Sequence, residues 1–408
     1  MKVFNKYKHT FPLWLAIITA SFSHNSWSIS TQQLLKNVYS NLPEQQLFQG
    51  FSQTQQALQQ NQQAFFPESP NLILNHQNDA LTGNENLQNW EIGLEATLWP
   101  SGQKQNLQAQ KRANQQQQQA LQATLNLKAS NILRQLIANL QQAQTKQQMA
   151  QQQLTQTQQL AQMIEQRVKI GASPKLDSLL AQKSVLEAQQ ALIQTKSQLK
   201  SALKTYQKWT QTPQLPDNYQ EKLASPQSQD WWLQHPEIQH IQAQIAKLQA
   251  QKQQIKSKAK NPIQAYVGLN RESSKDGTAN TSLILEITLP LGKNPVNQIE
   301  LAEHSQTLFA LKAELKQRIQ QLKIQKIQAD AQVRQLQQQT QLAKQQLQLA
   351  QETLKMAKQS YQAGETGIQN LLISQQQYID AEKHYQMRQI QTQQAIAQFN
   401  QIIGVHLQ

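Results

Sequence analysis

His235 and His240 are the two histidines closest together in this chain, and a shared metal ion is the first chemistry to test against them. A separation of five residues turns the pair onto different faces of a helix, so they are poorly placed to hold one ion. The other histidines are scattered, and no cysteine is present to act as a thiolate ligand or nucleophile. The HExxH zinc signature, the GxSxG nucleophile elbow and a glycine-rich phosphate loop are all missing. Glu91, Glu95 and Glu286 fall on the polar side of alternating segments, where simple solubility of that face accounts for them. These residues point to no enzyme, no metal and no cofactor.

The elements that carry the carboxylates are strands. Trp90, Ile92, Leu94, Ala96 and Leu98 alternate with Glu91, Gly93, Glu95 and Thr97, which makes one face apolar and the other wet. Later in the chain Ala265, Val267 and Leu269 alternate with Tyr266, Gly268 and Asn270, and Leu283, Leu285, Ile287 and Leu289 alternate with Ser282, Glu286 and Thr288. A further strand is expected near 71–75. The connectors 76–87 and 271–280 are polar, as exposed loops should be. Strands of ~10 residues are long enough to cross an outer membrane at a tilt, and a half-buried soluble sheet would alternate in the same way. Four strands cannot close a barrel, so spanning a membrane would require several chains to share one.

Helices set the scale. From about Gln103 to Val168 neither Pro nor Gly interrupts the chain, and Leu125, Ala129, Ile132, Leu136, Leu140 and Ala143 follow at steps of three or four. At 1.5 Å per residue such a helix is a rod of ~100 Å, and 296–363 predicts another. Rods of this length need partner helices, which the segments 174–210 and 366–401 supply in part. Glutamine on the outer positions keeps them polar, and alanine in the seam allows close approach.

Lys2, Lys6 and Lys8 followed by the apolar run Phe11–Phe22 and the small residues Ser23, Ser26 and Ser28 have the build of a secretory signal peptide. The net charge of +14 is spread along helical stretches without a compact basic stripe or interleaved aromatics, which argues against nucleic acid.

The chain also repeats itself. Leu94-Glu-Ala-Thr-Leu98 with Pro100 and Gly102 returns as Leu285-Glu-Ile-Thr-Leu289 with Pro290 and Gly292, and Gly171 and Leu179 return as Gly364 and Leu372. The expected organisation is a signal peptide over 1–28, a first repeat over 29–212 with strands at about 70–98 and a helical hairpin at about 103–210, and a linker over 213–235. A second repeat then covers 236–408, with strands at about 263–290 and a hairpin at about 294–404.

The duplicated strand-strand-long-helix-turn-helix unit resembles the TolC family of outer-membrane efflux proteins. The most specific marks are the turns Arg167-Val-Lys-Ile-Gly-Ala-Ser-Pro-Lys-Leu-Asp177 and Tyr361-Gln-Ala-Gly-Glu-Thr-Gly-Ile-Gln-Asn370. The resemblance implies a mainly α fold with a small β part: a homotrimer whose 12-stranded β-barrel in the outer membrane of a Gram-negative bacterium continues as an α-helical periplasmic tunnel. It implies an exit duct for efflux or type I secretion, fed by a periplasmic adaptor and an inner-membrane pump of RND or ABC type, and bedded in outer-membrane lipid. By the same resemblance, Lys169, Ile170, Gly171 and Gly364 are expected at the adaptor-docking tips, Asp177, Tyr361 and Asn370 at the tunnel constriction, and Glu91, Glu95 and Glu286 in the barrel lumen. Asn370 stands where family members carry aspartate, so a full acidic ring is not expected. A periplasmic adaptor or a trimeric coiled-coil fibre are the competing architectures.

Overall fold

The computed structural model describes residues 30–81, 83, 86–216, 219–226, 228–258, 262–291 and 295–407. The signal peptide expected over 1–28, and Gly292 of the repeat, lie outside the described residues. Helices α1 (Thr31–Ser40) and α2 (Leu47–Gln63) lead into strands β1 (Asn71–Asn78) and β2 (Gln88–Thr97). A hairpin of α3 (Gln103–Lys169) and α4 (Lys175–Thr210) follows. After an extended connector the order recurs as α5 (Pro236–Lys258), β3 (Gln264–Ser273), β4 (Ala279–Thr288), α6 (Pro295–Ala363) and α7 (Ile368–Ile402).

The strands form one antiparallel sheet in the order β1-β2-β3-β4, so each repeat contributes one hairpin and the repeats join between β2 and β3. Both outer edges, β1 and β4, are left unpaired. Registered pairing places Leu72, Leu94, Val267 and Leu285 in one row, and Leu74, Ile92, Leu269 and Leu283 in the next. Among the described residues no helix packs across this apolar face, and Leu285 is 73% exposed.

The rods α3 and α6 have 67 and 69 residues, each about 100 Å long. The first hairpin touches the second through α3 and α7, so the lower helices run in the order α4, α3, α7, α6, with α4 and α6 outermost. Of the apolar stripe read on α3, Leu125, Ala129, Leu136, Leu140 and Ala143 are buried, whereas Ile132 is only half-buried and Leu133 and Ile137 lie deeper. Midway along the rods, Leu34 and Val38 of α1 and Tyr206 of α4 close one core with the α3 stripe, and Trp231, Ile238, Val333 and Phe399 build a second.

Between these cores lies a buried polar knot. Arg134 on α3 forks onto the Glu221 carboxylate of the connector with two contacts of 2.7 Å and donates to the Val405 carbonyl at 3.0 Å. Asn400 on α7 donates to the same carboxylate at 2.9 Å and accepts from the Ala224 N–H at 2.9 Å. The connector and the C-terminal segment are thereby tied to the first rod.

Buried beside this knot, His235 packs against Gly404, and its Nδ1 accepts from the Glu237 N–H at 3.3 Å. Burial lowers its pKa to about 4; Glu237 opposes that shift, while Arg318 and His406 reinforce it. The unfolded chain takes up this proton near the ordinary value of 6.5, and the folded chain only near 4. The stability from a neutral His235 is therefore complete above pH 6.5 and is lost as pH falls toward 4, by roughly 3 kcal/mol. Helix melting followed by circular dichroism across that window should show this loss, and His235→Gln should flatten the profile. An equal slope in the variant would remove His235 as the cause.

Candidate functional site

Two regions hold the side chains singled out by the sequence, the sheet and the helical tips. On the sheet, the face opposite the leucine rows carries Glu91, Glu95, Glu272 and Glu286, with no Lys, Arg or His among the described strand residues of that face. Registered pairing sets Glu95, Tyr266 and Glu286 side by side. The Tyr266 ring lies over the Gly93–Gly268 pair, so a side chain at either glycine would collide with it, and its hydroxyl donates to the Glu91 carboxylate. Sequence alternation assigns Glu91, Glu95 and Glu286 to one face; it gives no sign of the tyrosine brace, whose glycine seat depends on cross-strand register.

At the tips, both long rods end in the same cap. After α3, the Gly171 N–H donates to the Val168 carbonyl at 3.0 Å and the Ala172 N–H to the Arg167 carbonyl at 2.8 Å. After α6, Gly364 donates to Tyr361 at 3.1 Å and Glu365 to Ser360 at 2.9 Å. Gly171 and Gly364 have φ of +73° and +79°, a left-handed conformation that disfavours any side chain even though open space surrounds both. Ile170 projects into solvent at 80% exposure, and Lys169 pairs with Glu165 at 2.9 Å on the same exposed turn.

Tyr361 is buried in a small core of Ile164, Ala181, Ile368 and Leu371 that joins the two hairpins. Its hydroxyl pairs with Ser173 at 3.1 Å, and the Arg167 guanidinium covers its ring at 4.9 Å while donating to the Gln362 carbonyl at 3.3 Å. Donors for Asp177, which the family resemblance places at the constriction, would be Tyr361, Lys169 or Arg167. Within the chain those donors go to Ser173, Glu165 and Gln362. Asp177 stands half-exposed in the first turn of α4 and Asn370 is exposed, with no side-chain partner for either among the described residues. Ser173 was not legible as a contact, because 188 residues separate it from Tyr361.

Above the tips the outermost helices carry matching stripes. Leu179, Leu186 and Ile193 lie 8, 15 and 22 residues after Gly171, and Met356, Leu349 and Leu342 lie 8, 15 and 22 residues before Gly364. All six are more than half exposed. No group of three or more His, Cys, Asp or Glu side chains placed to hold a metal ion occurs among the described residues.

A family model described as outer membrane efflux protein matches residues 45–208 and 229–405. No curated protein sequence matches the chain. Among solved structures, the chain is similar to CusC, described as undergoing conformational changes with folding and transmembrane channel formation, at 17% identity and a TM-score of 0.71 over 92% of both chains. It is also similar to a membrane protein from Pseudomonas aeruginosa, at 17% identity and a TM-score of 0.69 over 98% of this chain and 97% of that one. The outer membrane protein VceC from Vibrio cholerae matches at 12% identity and a TM-score of 0.69, over 92% of this chain and 96% of that one.

Proposed function

Because this chain belongs to the outer membrane efflux protein family, we propose that three copies of it close into one duct, a twelve-stranded barrel standing on a periplasmic helical tunnel. Three sheets of four strands supply the twelve. The observation that carries this reading is the pair of equidistant stripes on α4 and α6. At 1.5 Å per residue, Leu179, Leu186 and Ile193 of one copy stand about 12, 22 and 33 Å above the tip, level with Met356, Leu349 and Leu342 of the next. The same rotation brings the open β1 edge of one copy to the β4 edge of its neighbour, which removes both unpaired edges. A periplasmic adaptor or a fibre would leave the exposed leucine rows of the sheet uncovered.

Absence of native cysteine makes the test clean. Oxidation of the Leu186→Cys/Leu349→Cys variant should give disulfide-linked dimers and trimers, and Leu186→Cys/Leu342→Cys, offset by one heptad, should not. Equal crosslinking of both pairs, or of neither, would refute the register.

In this assembly, a periplasmic adaptor meets the tips at Lys169, Ile170, Gly171 and Gly364, and passive export follows from an inner-membrane pump of RND or ABC type, without catalysis. Tyr361 holds the tunnel mouth shut through Ser173 and Arg167, while Asp177 and Asn370 line it. Tyr361→Phe removes about 1 kcal/mol of hydrogen bonding per copy, so three copies raise the open fraction by up to roughly two powers of ten. Single-channel conductance should show longer openings in Tyr361→Phe than in wild type. Indistinguishable traces would mean that the hydroxyl plays no part in closure.

A further inference from the structure

On the apolar face of the sheet, the second row from the strand turns differs from the leucine rows beneath it, and only Asn78, Gln88, Ser273 and Ala279 lie nearer the turns. His76, Trp90, Arg271 and Thr281 are directly opposed across β1 to β4. The His76 and Trp90 rings stack at 4.0 Å between centroids, and Asn78 holds His76 Nε2 at 3.2 Å. Arg271 is the only Lys, Arg, Asp or Glu on that face among the described strand residues, and it forms no ion pair or side-chain hydrogen bond with them. Its strand β3 is an inner one, so a neighbouring copy joining at β4 brings its nearest strand no closer than about 10 Å. Five guanidinium donors are therefore offered to whatever surrounds the barrel.

All helices leave the sheet from the end opposite these turns. With the helices in the periplasm, the row lies at the level of the outer-leaflet headgroups, above three rows of apolar side chains. A cation beside an aromatic ring at that depth matches a phosphate sitting over acyl chains.

We propose that His76, Trp90 and Arg271 form a binding site for the phosphorylated headgroup of an outer-leaflet glycolipid, one site per copy. Arg271 forks onto a phosphate, and Trp90, braced by His76, packs against the first methylenes below it. The proposal rests on the barrel reading above.

The test uses the detergent-purified full-length protein, first confirmed to fractionate with outer membranes, and counts bound lipid by native mass spectrometry. Lipid A carrying its phosphates should be retained about tenfold better than the same lipid with the phosphates removed. Arg271→Gln should erase that preference, Arg271→Lys should keep part of it, and Glu286→Gln on the opposite face should leave it intact. Equal retention of the two lipids by wild type, or an unchanged preference in Arg271→Gln, would overturn the site. Loss of the preference when inorganic phosphate is added at millimolar concentration would overturn it as well, by revealing a site for free anions. Recovery of the wild type in the soluble fraction would instead sink the barrel reading.

Discussion

Arginine in place of Leu285 should remove most of the assembled protein from the outer membrane, whereas arginine one residue later, in place of Glu286, should leave assembly intact. Leu285 sits in the central leucine row, flanked across the sheet by Val267 and, on the same strand, by Leu283 and Ile287. A guanidinium facing hydrocarbon at mid-depth costs about 2 to 4 kcal/mol, and a symmetric trimer carries it three times, for about 6 to 12 kcal/mol. The Glu286 position points to the polar face, beside Tyr266, where an arginine shares the face with the carboxylates of Glu91 and Glu95. Fractionation and heat-modifiable migration of the two variants are the measurements. Equal yields would show that the two faces have been assigned the wrong way round, or that the sheet does not span the membrane.

A loss of similar weight is expected at mid-rod. Arg134→Met leaves the Glu221 carboxylate, 16% exposed at its side chain, with Asn400 as its remaining side-chain donor. Breaking a buried pair from one side costs about 3 to 5 kcal/mol, because the orphaned charge stays behind. The connector that carries Glu221 is held by this knot, so the cost should appear as local opening and expose the peptide bond after Lys222 to trypsin. At tenfold per 1.4 kcal/mol, cleavage there should speed up by roughly two to three and a half powers of ten when opening is fast relative to cutting. Arg134→Met combined with Glu221→Leu should recover much of the resistance, since it removes both charges. Unchanged digestion of Arg134→Met would mean that the apolar cores alone seat the connector.

These two regions also mark what could be read from the chain and what could not. Strands β2 to β4 are visible because alternation with period two is a local property, and the rods are visible because neither Gly nor Pro interrupts them. The tip glycines are visible for a related reason, since a helix that must reverse needs a left-handed residue at its end. The knot is different. Arg134 meets Glu221 and Gln401 across 87 and 267 residues, and no local pattern announces a pairing at that range. A faint signal was present, because Arg134 falls inside the run Leu133, Leu136, Ile137, Leu140, where a charge demands a partner. Tyr361 was singled out by resemblance to a family turn, yet its contact with Ser173 depends on how the two hairpins dock, which the sequence does not state.

In the proposed trimer, the equal spacing of the stripes from Gly171 and Gly364 would also limit how such a duct can change its length in evolution. Adding one heptad to α4 alone would slide Leu186 and Ile193 past their counterparts on α6 of the neighbouring copy. Matching it on α6 alone would in turn throw α3 and α7 out of step with their own hairpin partners. A longer or shorter tunnel therefore requires four insertions or deletions of the same size, one in each arm, fixed together. Intermediate forms with fewer carry a mismatched seam, repeated in all three copies. Point substitutions meet no such barrier, so these chains can diverge far in sequence while the distance they bridge stays nearly constant.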